Sequence, residues 1–281
     1  MWPKLTIIFP TYNNWQLTLR TLKSVGQINY PKSQLEIIII DNNSKDNTAK
    51  NIKKLFPNII LLSQKSNLGF AKAINIASKA ATGEYLFITN NDVSFKKTYL
   101  ARLLSFAINT PKLGVCGGKI VTESLNGKYF DGAVNVSHST SGLKRLENYH
   151  KTQEVDYISG AGMLVKKDIF EKVKGFDTKF QFYFEDLDFC FRVKKLGYQI
   201  IYFPQATMYH KQSSTASTMP LKWQNDVWIQ GKMLVIKKHF RFWVIPFIIL
   251  LQSLFYLYIL VKRRQNRFGS LLRAITKVFL A

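Results

Sequence analysis

Acidic residues are scarce: 17 Asp and Glu stand against 40 Lys and Arg in 281 residues, a formal charge of +23, and no acid follows Asp226. Cysteine is scarcer still. Cys116 and Cys190 are the whole complement, which excludes a disulfide framework and fits a reducing compartment. The first apolar run follows Lys4 and breaks at Pro10, too short for a secretory signal, so the bulk of the chain is expected in the cytosol. No G-x-G-x-x-G follows that run and no G-x-x-x-x-G-K-[ST] occurs anywhere, so neither a standard dinucleotide fold nor a P-loop is supported. Repeats and low-complexity tracts are absent as well. What is plentiful is apolar bulk: 47% hydrophobic residues, with 21 Phe and 13 Tyr, exclude a disordered or collagen-like chain and allow one large domain with or without an appendage.

The front half alternates strands and helices. Leu5 to Phe9 reads as a strand, and Trp15 to Val25 shows helical spacing through Leu17, Leu19, Leu22 and Val25. Strands follow at Glu36 to Ile40, Ile59 to Leu62 and Tyr85 to Thr89, with helices at Asn47 to Phe56 and Phe70 to Ala81 between them. Such units imply an α/β fold with a parallel sheet covered on both faces.

Polar residues fall just past the C-terminal end of every strand: Thr11 and Asn13, Asp41 to Ser44, Asn67, then Asn91 and Asp92. In an open α/β sheet that edge is where ligands bind. A single cluster of this kind is an ordinary turn or N-cap, but recurrence after all four strands describes a pocket. Without a glycine loop, the pocket needs another device to hold a diphosphate, such as a carboxylate-bound divalent cation. Asp92 is placed either to ligate one or simply to form its turn.

Farther on, Ser159-Gly160-Ala161-Gly162 enters a strand, and small residues there either let backbone approach a ligand or make a plain bulge. Phe182-Tyr183-Phe184-Glu185-Asp186-Leu187-Asp188 then brings three carboxylates to the start of a helix reaching Lys195. Aromatic surroundings raise the pKa of a carboxylate and make it a better base, although acids also favour a helix N-terminus, and Asp188 can pair with Arg192 one turn on. A strand at Gln199 to Phe203, then Ala206 to Tyr209, leads to His210, either a metal ligand or a satisfied strand-end histidine.

The charge gathers at the end. Ten basic residues follow Asp226 and flank Phe242 to Val261, a run of 20 residues interrupted only by Pro246, Gln252 and Ser253. As a helix it would extend roughly 30 Å, the thickness of a bilayer core. Trp243, Tyr256 and Tyr258 add interfacial character, and 268–281 forms an amphipathic helix suited to an anionic leaflet. Spanning and in-plane or re-entrant docking both remain open, because spanning from a cytosolic start would export the larger basic cluster. A helical hairpin packed on the main domain is the third reading.

Six motifs in order, Pro10-Thr11-Tyr12-Asn13, Asp41-Asn42-Asn43-Ser44, Asn67-Leu68-Gly69-Phe70-Ala71, Asn90-Asn91-Asp92, Ser159-Gly160-Ala161 and Phe184-Glu185-Asp186-Leu187-Asp188, resemble family 2 glycosyltransferases of the GT-A fold, nearest the bacterial rhamnosyltransferase-like branch. The resemblance covers about residues 4 to 215. It implies a mixed, Rossmann-like sheet with helices on both faces and a catalytic domain over 1–220, leaving 221–281 as the membrane-association region that the basic, apolar tail suggests. It also implies a nucleotide-sugar donor, dTDP-rhamnose or a UDP-sugar, and cell-surface polysaccharide synthesis, while the membrane-seeking tail suggests a glycan or lipid-linked acceptor. Thr11 and Asp41 would contact base and ribose, with Asn13, Ser44, Asn67, Asn91 and Gly160 lining the donor pocket. Asp92 stands at the last position of the family's D-x-D metal motif, whose first carboxylate is here Asn90. A single carboxylate, joined by His210, would then hold Mg²⁺ or Mn²⁺. Asp186 matches the family's catalytic base, supported by Glu185 and Asp188.

The expected reaction is a single inverting displacement by an acceptor hydroxyl, on the cytoplasmic face of the cell membrane and in contact with anionic lipids. A nucleotidyltransferase would need a glycine-rich basic loop where Pro10-Thr11-Tyr12-Asn13-Asn14 stands. A nucleic-acid-binding protein fits the high pI but not the concentration of basic charge beside an apolar run, so no nucleic-acid partner is expected.

Overall fold

The computed structural model describes residues 2–122, 129–130, 132–137, 141–146, 148–211, 219–263 and 267–280. The chain opens with β1 (Leu5–Thr11), α1 (Trp15–Gly26), β2 (Leu35–Asp41), α2 (Thr48–Leu55), β3 (Ile60–Ser63), α3 (Gly69–Ala80) and β4 (Tyr85–Thr89). Next come β5 (Val93–Phe95), α4 (Tyr99–Ile108), β6 (Leu113–Thr122), β7 (Tyr129–Phe130), β8 (Ala133–Val136), β9 (Leu143–Arg145), β10 (Gln153–Glu154) and β11 (Tyr157–Ile158). The remainder is β12 (Gly162–Lys166), α5 (Lys167–Lys172), α6 (Glu185–Lys195), β13 (Gln199–His210), α7 (Leu221–His239), α8 (Ile245–Arg263), α9 (Phe268–Ile275) and a wide helical turn at Thr276–Leu280.

The main sheet runs β10, β13, β6, β12, β4, β1, β2, β3, and β11, β8 and β9 make a smaller one. The first four strands are parallel, as their alternation with helices predicts. Successive side chains on each strand face opposite ways, so Ile8, Ile38, Leu86 and Ile88 join α3, α5 and α6 in one core, while Ile7, Phe9, Ile39 and Phe87 join α1 and α4 in the other.

Beyond β4 the sheet turns mixed, and this decides where the later motifs go. β12 pairs antiparallel with β4, with Gly162 opposite Thr89, so its leading Ser159-Gly160-Ala161 turn lies at the edge where β4 ends. The expected strand at 199–203 and the 206–209 segment are one bulged strand, β13. Its last residue, His210, pairs with Val93 of β5 and thereby comes beside Asp92.

The tail departs further from expectation. Pro246 lacks an N–H and is best tolerated in a first helical turn, so α8 begins at Ile245 and the first three residues of the apolar run lie ahead of it. Among the described residues no helix is long and apolar enough to cross a membrane. The amphipathic 268–281 segment also does not turn its apolar stripe outward: Leu271, Ala274 and Val278 are buried against Ile229, Met233 and Ile236 of α7 and Ile248, Tyr256 and Ile259 of α8. The outward apolar face belongs to α8, where Phe247, Leu250, Leu254, Tyr258 and Val261 recur every three or four residues and are each more than half exposed. Arg264, part of the second basic cluster, and residue 281 lie outside the described residues.

Candidate active site

The ends of β1, β2 and β4, the β12 entry turn and the start of α6 enclose a cavity of about 450 Å³. Of the residues singled out in the sequence, Thr11, Asn67, Asn91, Asp92, Gly160, Glu185, Asp186 and His210 line it.

Thr11 is buried, and its hydroxyl shares a hydrogen bond of 2.8 Å with that of Thr18 on α1. The Asn91 amide donates to both hydroxyls, at 3.2 and 3.1 Å, locking the end of β4 to β1. Asn67 accepts the Gly69 N–H at 2.9 Å and so shapes the entry to α3.

Three residues expected in the donor pocket do not line the cavity. The Ser44 hydroxyl accepts the Asn13 N–H at 2.8 Å, and the Asn13 side-chain carbonyl accepts the Lys45 N–H at 2.7 Å. Asp41 is buried and accepts the Ser44 N–H at 3.1 Å. Short polar side chains at a strand end satisfy nearby backbone donors first, and here they tie two loops together behind the wall. Asn42, the next residue, lines the cavity instead: its amide donates to Gly69 O at 3.2 Å and its buried Oδ1 has no partner among the described residues.

Asp186 sits in the first turn of α6. Its Oδ2 accepts the Gly160 N–H at 2.9 Å and the Tyr157 hydroxyl at 3.0 Å, and Oδ1 accepts the Leu187 N–H at 2.9 Å. Burial pushes its pKa up and these donors oppose that rise. Gly160 permits the approach, since a Cβ there would stand 3.0 Å from the Phe70 ring and 3.5 Å from Asp186 Oδ2. Burial and the Asp186 charge hold the Tyr157 phenol well above its usual pKa, so it stays a proton donor.

Glu185 is buried, and its Oε2 has no hydrogen-bond partner among the described residues. Burial, then the neighbouring Asp186 charge, drive its pKa up. With donors gathered on Asp186 and none on this oxygen, the proton shared by the pair belongs on Glu185 and the negative charge on Asp186.

Asp188, expected among the catalytic carboxylates, points away. It is fully buried, and its oxygens take Arg192 Nε at 2.8 Å, Lys238 Nζ at 2.5 Å and His239 Nε2 at 2.7 Å. Burial raises its pKa, but these bonds outweigh it and hold the carboxyl at about 2. On a helix, residues two apart face different directions, so Asp186 and Asp188 cannot share a wall.

At the opposite end of the group, Asp92 Oδ1 and His210 Nε2 are 3.0 Å apart, and Asn90 Nδ2 is 3.3 Å from the same nitrogen. Among the described residues no group of three His, Cys, Asp or Glu side chains converges as a metal site. Asp92 and His210 are nevertheless two convergent donors in the cavity wall, a set that fits a divalent cation completing its shell with diphosphate oxygens and water.

Sequence reading assigned no individual site role to Tyr157, Thr18, Asn42 or Trp228. Tyr157 adjoins the Ser159-Gly160-Ala161 motif and could have been found there. Trp228 reaches the cavity from α7, 43 residues past Glu185, with no local signal to announce it.

Residues 6–174 match the model of glycosyl transferase family 2. The chain is 25% identical over 243 residues to a probable glycosyltransferase, YdaM, of Bacillus subtilis, covering 84% of this chain and 57% of the relative, so it spans little more than half of that protein. It is 26% identical over 213 residues to an N-acetylglucosaminyl-diphospho-decaprenol L-rhamnosyltransferase of Mycobacterium tuberculosis, covering 64% of this chain and 68% of the relative. Among solved structures, the mannosyltransferase PcManGT of Pyrobaculum calidifontis, in complex with GDP-Man and Mn²⁺, superposes with a TM-score of 0.63 at 19% identity, covering 100% of this chain and 76% of that one. This last likeness shows the fold alone, which is GT-A-like. Neither the nucleotidyltransferase nor the nucleic-acid-binding alternative finds support in these comparisons.

Proposed function

Because the chain belongs to glycosyl transferase family 2, we propose that it is a glycosyltransferase that moves a sugar, with inversion, from a nucleotide-sugar to a hydroxyl of a glycan or lipid-linked acceptor in cell-surface polysaccharide synthesis. dTDP-rhamnose or a UDP-sugar is the proposed donor, in keeping with the rhamnosyltransferase relative. The reading rests chiefly on Asp186, a buried carboxylate in the wall of the cavity at the ends of the strands, held by three donors and left able to accept a proton.

In this reading the donor's nucleotide lies by Thr11, Asn42, Asn67 and Asn91, with Asn13, Asp41 and Ser44 shaping the loops behind them. Asp92 and His210 would hold a divalent cation, which when bound would supply charge neutralisation to the leaving diphosphate. Asp186 takes the proton of the acceptor hydroxyl as that oxygen bonds to the anomeric carbon from the face opposite the diphosphate. The bond from carbon to diphosphate oxygen breaks, and its electron pair leaves with the nucleotide. Glu185 keeps its own proton and so adds no second negative charge beside the base.

The catalytic unit is taken as 1–220 and the association region as 221–281, docked in the plane of an anionic lipid surface on the cytoplasmic face. Support comes from the outward apolar face of α8, continued by Phe242 and Trp243 with Arg241 over the Trp243 ring at 5.3 Å, and from the +10 tail. Two buried, unpaired cysteines accord with a reducing compartment.

The test is a panel of dTDP-, UDP- and GDP-sugars, followed by calorimetry and nucleotide release with and without Mn²⁺. Binding of one donor and release of its nucleotide is expected; no binding across the panel would overturn the reading.

A further inference from the structure

The entry to α6 is a strained stretch of backbone. Tyr183 and Phe184 are consecutive non-glycine residues with φ of 67° and 71°, immediately before Glu185 and Asp186. Side chains in that region cost free energy and persist only where surrounding structure holds them. Phe184 packs with Val136, Phe180, Leu187 and Phe191, and α7 adds contacts to this part of α6 at two points. Gly231 lies so close that a Cβ would stand 2.9 Å from Phe184 Cδ2 and 3.1 Å from Tyr183 O, while the Trp228 and Phe184 rings meet edge to face at 5.3 Å. Two turns on, Lys238 and His239 grip Asp188 Oδ1, and Lys238 also reaches Asp177 Oδ2 at 2.8 Å.

The first turn of α6 is therefore caught between Gly231 at its entry and the Lys238–His239 pair on Asp188, two residues past the base. Arg192 fixes the other Asp188 oxygen and donates to Gly175 O at 2.8 Å, anchoring the helix on the α5 side. Everything on the α7 side lies outside residues 6–174, the segment matching the family model.

We propose that Lys238, with His239 and Gly231, is a positioning residue for the transfer reaction: α7 sets the rotation and depth of α6, and through Asp188 fixes where the Asp186 carboxylate stands in the cavity. The inference rests on Asp186 as the base. It assigns to a helix of the C-terminal region a part in turnover, separate from any part in lipid docking.

The experiment compares full-length Lys238→Met, Lys238→Arg and Gly231→Ala with wild type, measuring kcat, donor Kd by calorimetry and thermal melting. Displacing a reacting group by about 1 Å costs on the order of 10²-fold in rate, so Lys238→Met is expected to lower kcat at least about tenfold with donor Kd within about twofold, and Lys238→Arg to recover most of it. Gly231→Ala should give the same split. If Lys238→Met does not fold, the Gly231→Ala split alone decides. A kcat within about twofold of wild type in both variants, a fall in kcat matched by lost donor affinity, or no recovery with Arg overturns the proposal. Asp186→Asn run alongside keeps the two readings apart, since retained turnover there removes the base and not the brace.

Discussion

The Tyr157 hydroxyl donates to Asp186 Oδ2 across 3.0 Å, joining the small three-stranded sheet to the first turn of α6. This bond favours the ionised carboxylate, whereas burial favours the protonated one. Two further bonds that oppose the desolvation come from the Gly160 and Leu187 backbone, so the Tyr157 hydroxyl is the donor that a side-chain substitution can remove.

Tyr157→Phe takes away a donor from Asp186 and raises its pKa further. Because the base must be ionised to act, the acidic limb of kcat/KM should move to higher pH, with donor binding unchanged. A pH profile superimposable on wild type would remove Tyr157 from this part.

Asp186→Asn retains the shape and loses the basicity. Transfer should fall by about 10²- to 10⁴-fold, the usual worth of a general base, while nucleotide-sugar affinity stays near wild type. Single-turnover transfer and calorimetry on the same preparation check this.

Glu185 illustrates the opposite sign. Its pKa is raised on folding, so the folded state prefers the protonated form, and ionisation costs stability as pH rises beyond the ordinary glutamate range. Glu185→Gln should therefore melt above wild type at alkaline pH, with the gap closing on acidification. A raise of one pKa unit corresponds to about 1.4 kcal/mol, and 1 kcal/mol to about 2–4 °C in Tm for a chain of this size.

Asp188 is held at about 2, below its ordinary 3.8, so its contribution to stability is present above the ordinary value and lost as pH falls toward the lower one. Asp188→Asn leaves His239 and Arg192 without their anion and Lys238 with Asp177 alone, and should cost about 3–5 kcal/mol at neutral pH. Chemical denaturation at pH 7 and in acid measures both the cost and its disappearance.

Leu250→Asp together with Leu254→Asp places two charges on the outward face of α8, both positions being more than half exposed. Co-sedimentation with phosphatidylglycerol vesicles should drop while folding and soluble-donor binding persist. Undiminished vesicle binding would remove that face from the membrane reading.

The alternating units, the four polar strand ends and the carboxylates that open α6 are legible in the amino-acid order. Each is a local property, set by side-chain periodicity or by residues a few positions apart, and so is legible without partners. The motif order sufficed for the family resemblance as well. Which polar residues face the cavity depends on how the strands pack, because a one-residue step along a strand or loop changes which side a group takes: Asn42 lines the wall and Asp41 closes a turn behind it. It also brought His210 to Asp92 through the register of β13 with β5, a pairing over 118 residues that no local pattern encodes. The tail changed most. Its apolar run looked membrane-long, but Pro246 places the helix start at 245, the amphipathic α9 spends its stripe on α7 and α8, and the exposed apolar face falls to α8. Hydrophobic length is written in sequence; which face finds a partner is settled only when the helices pack.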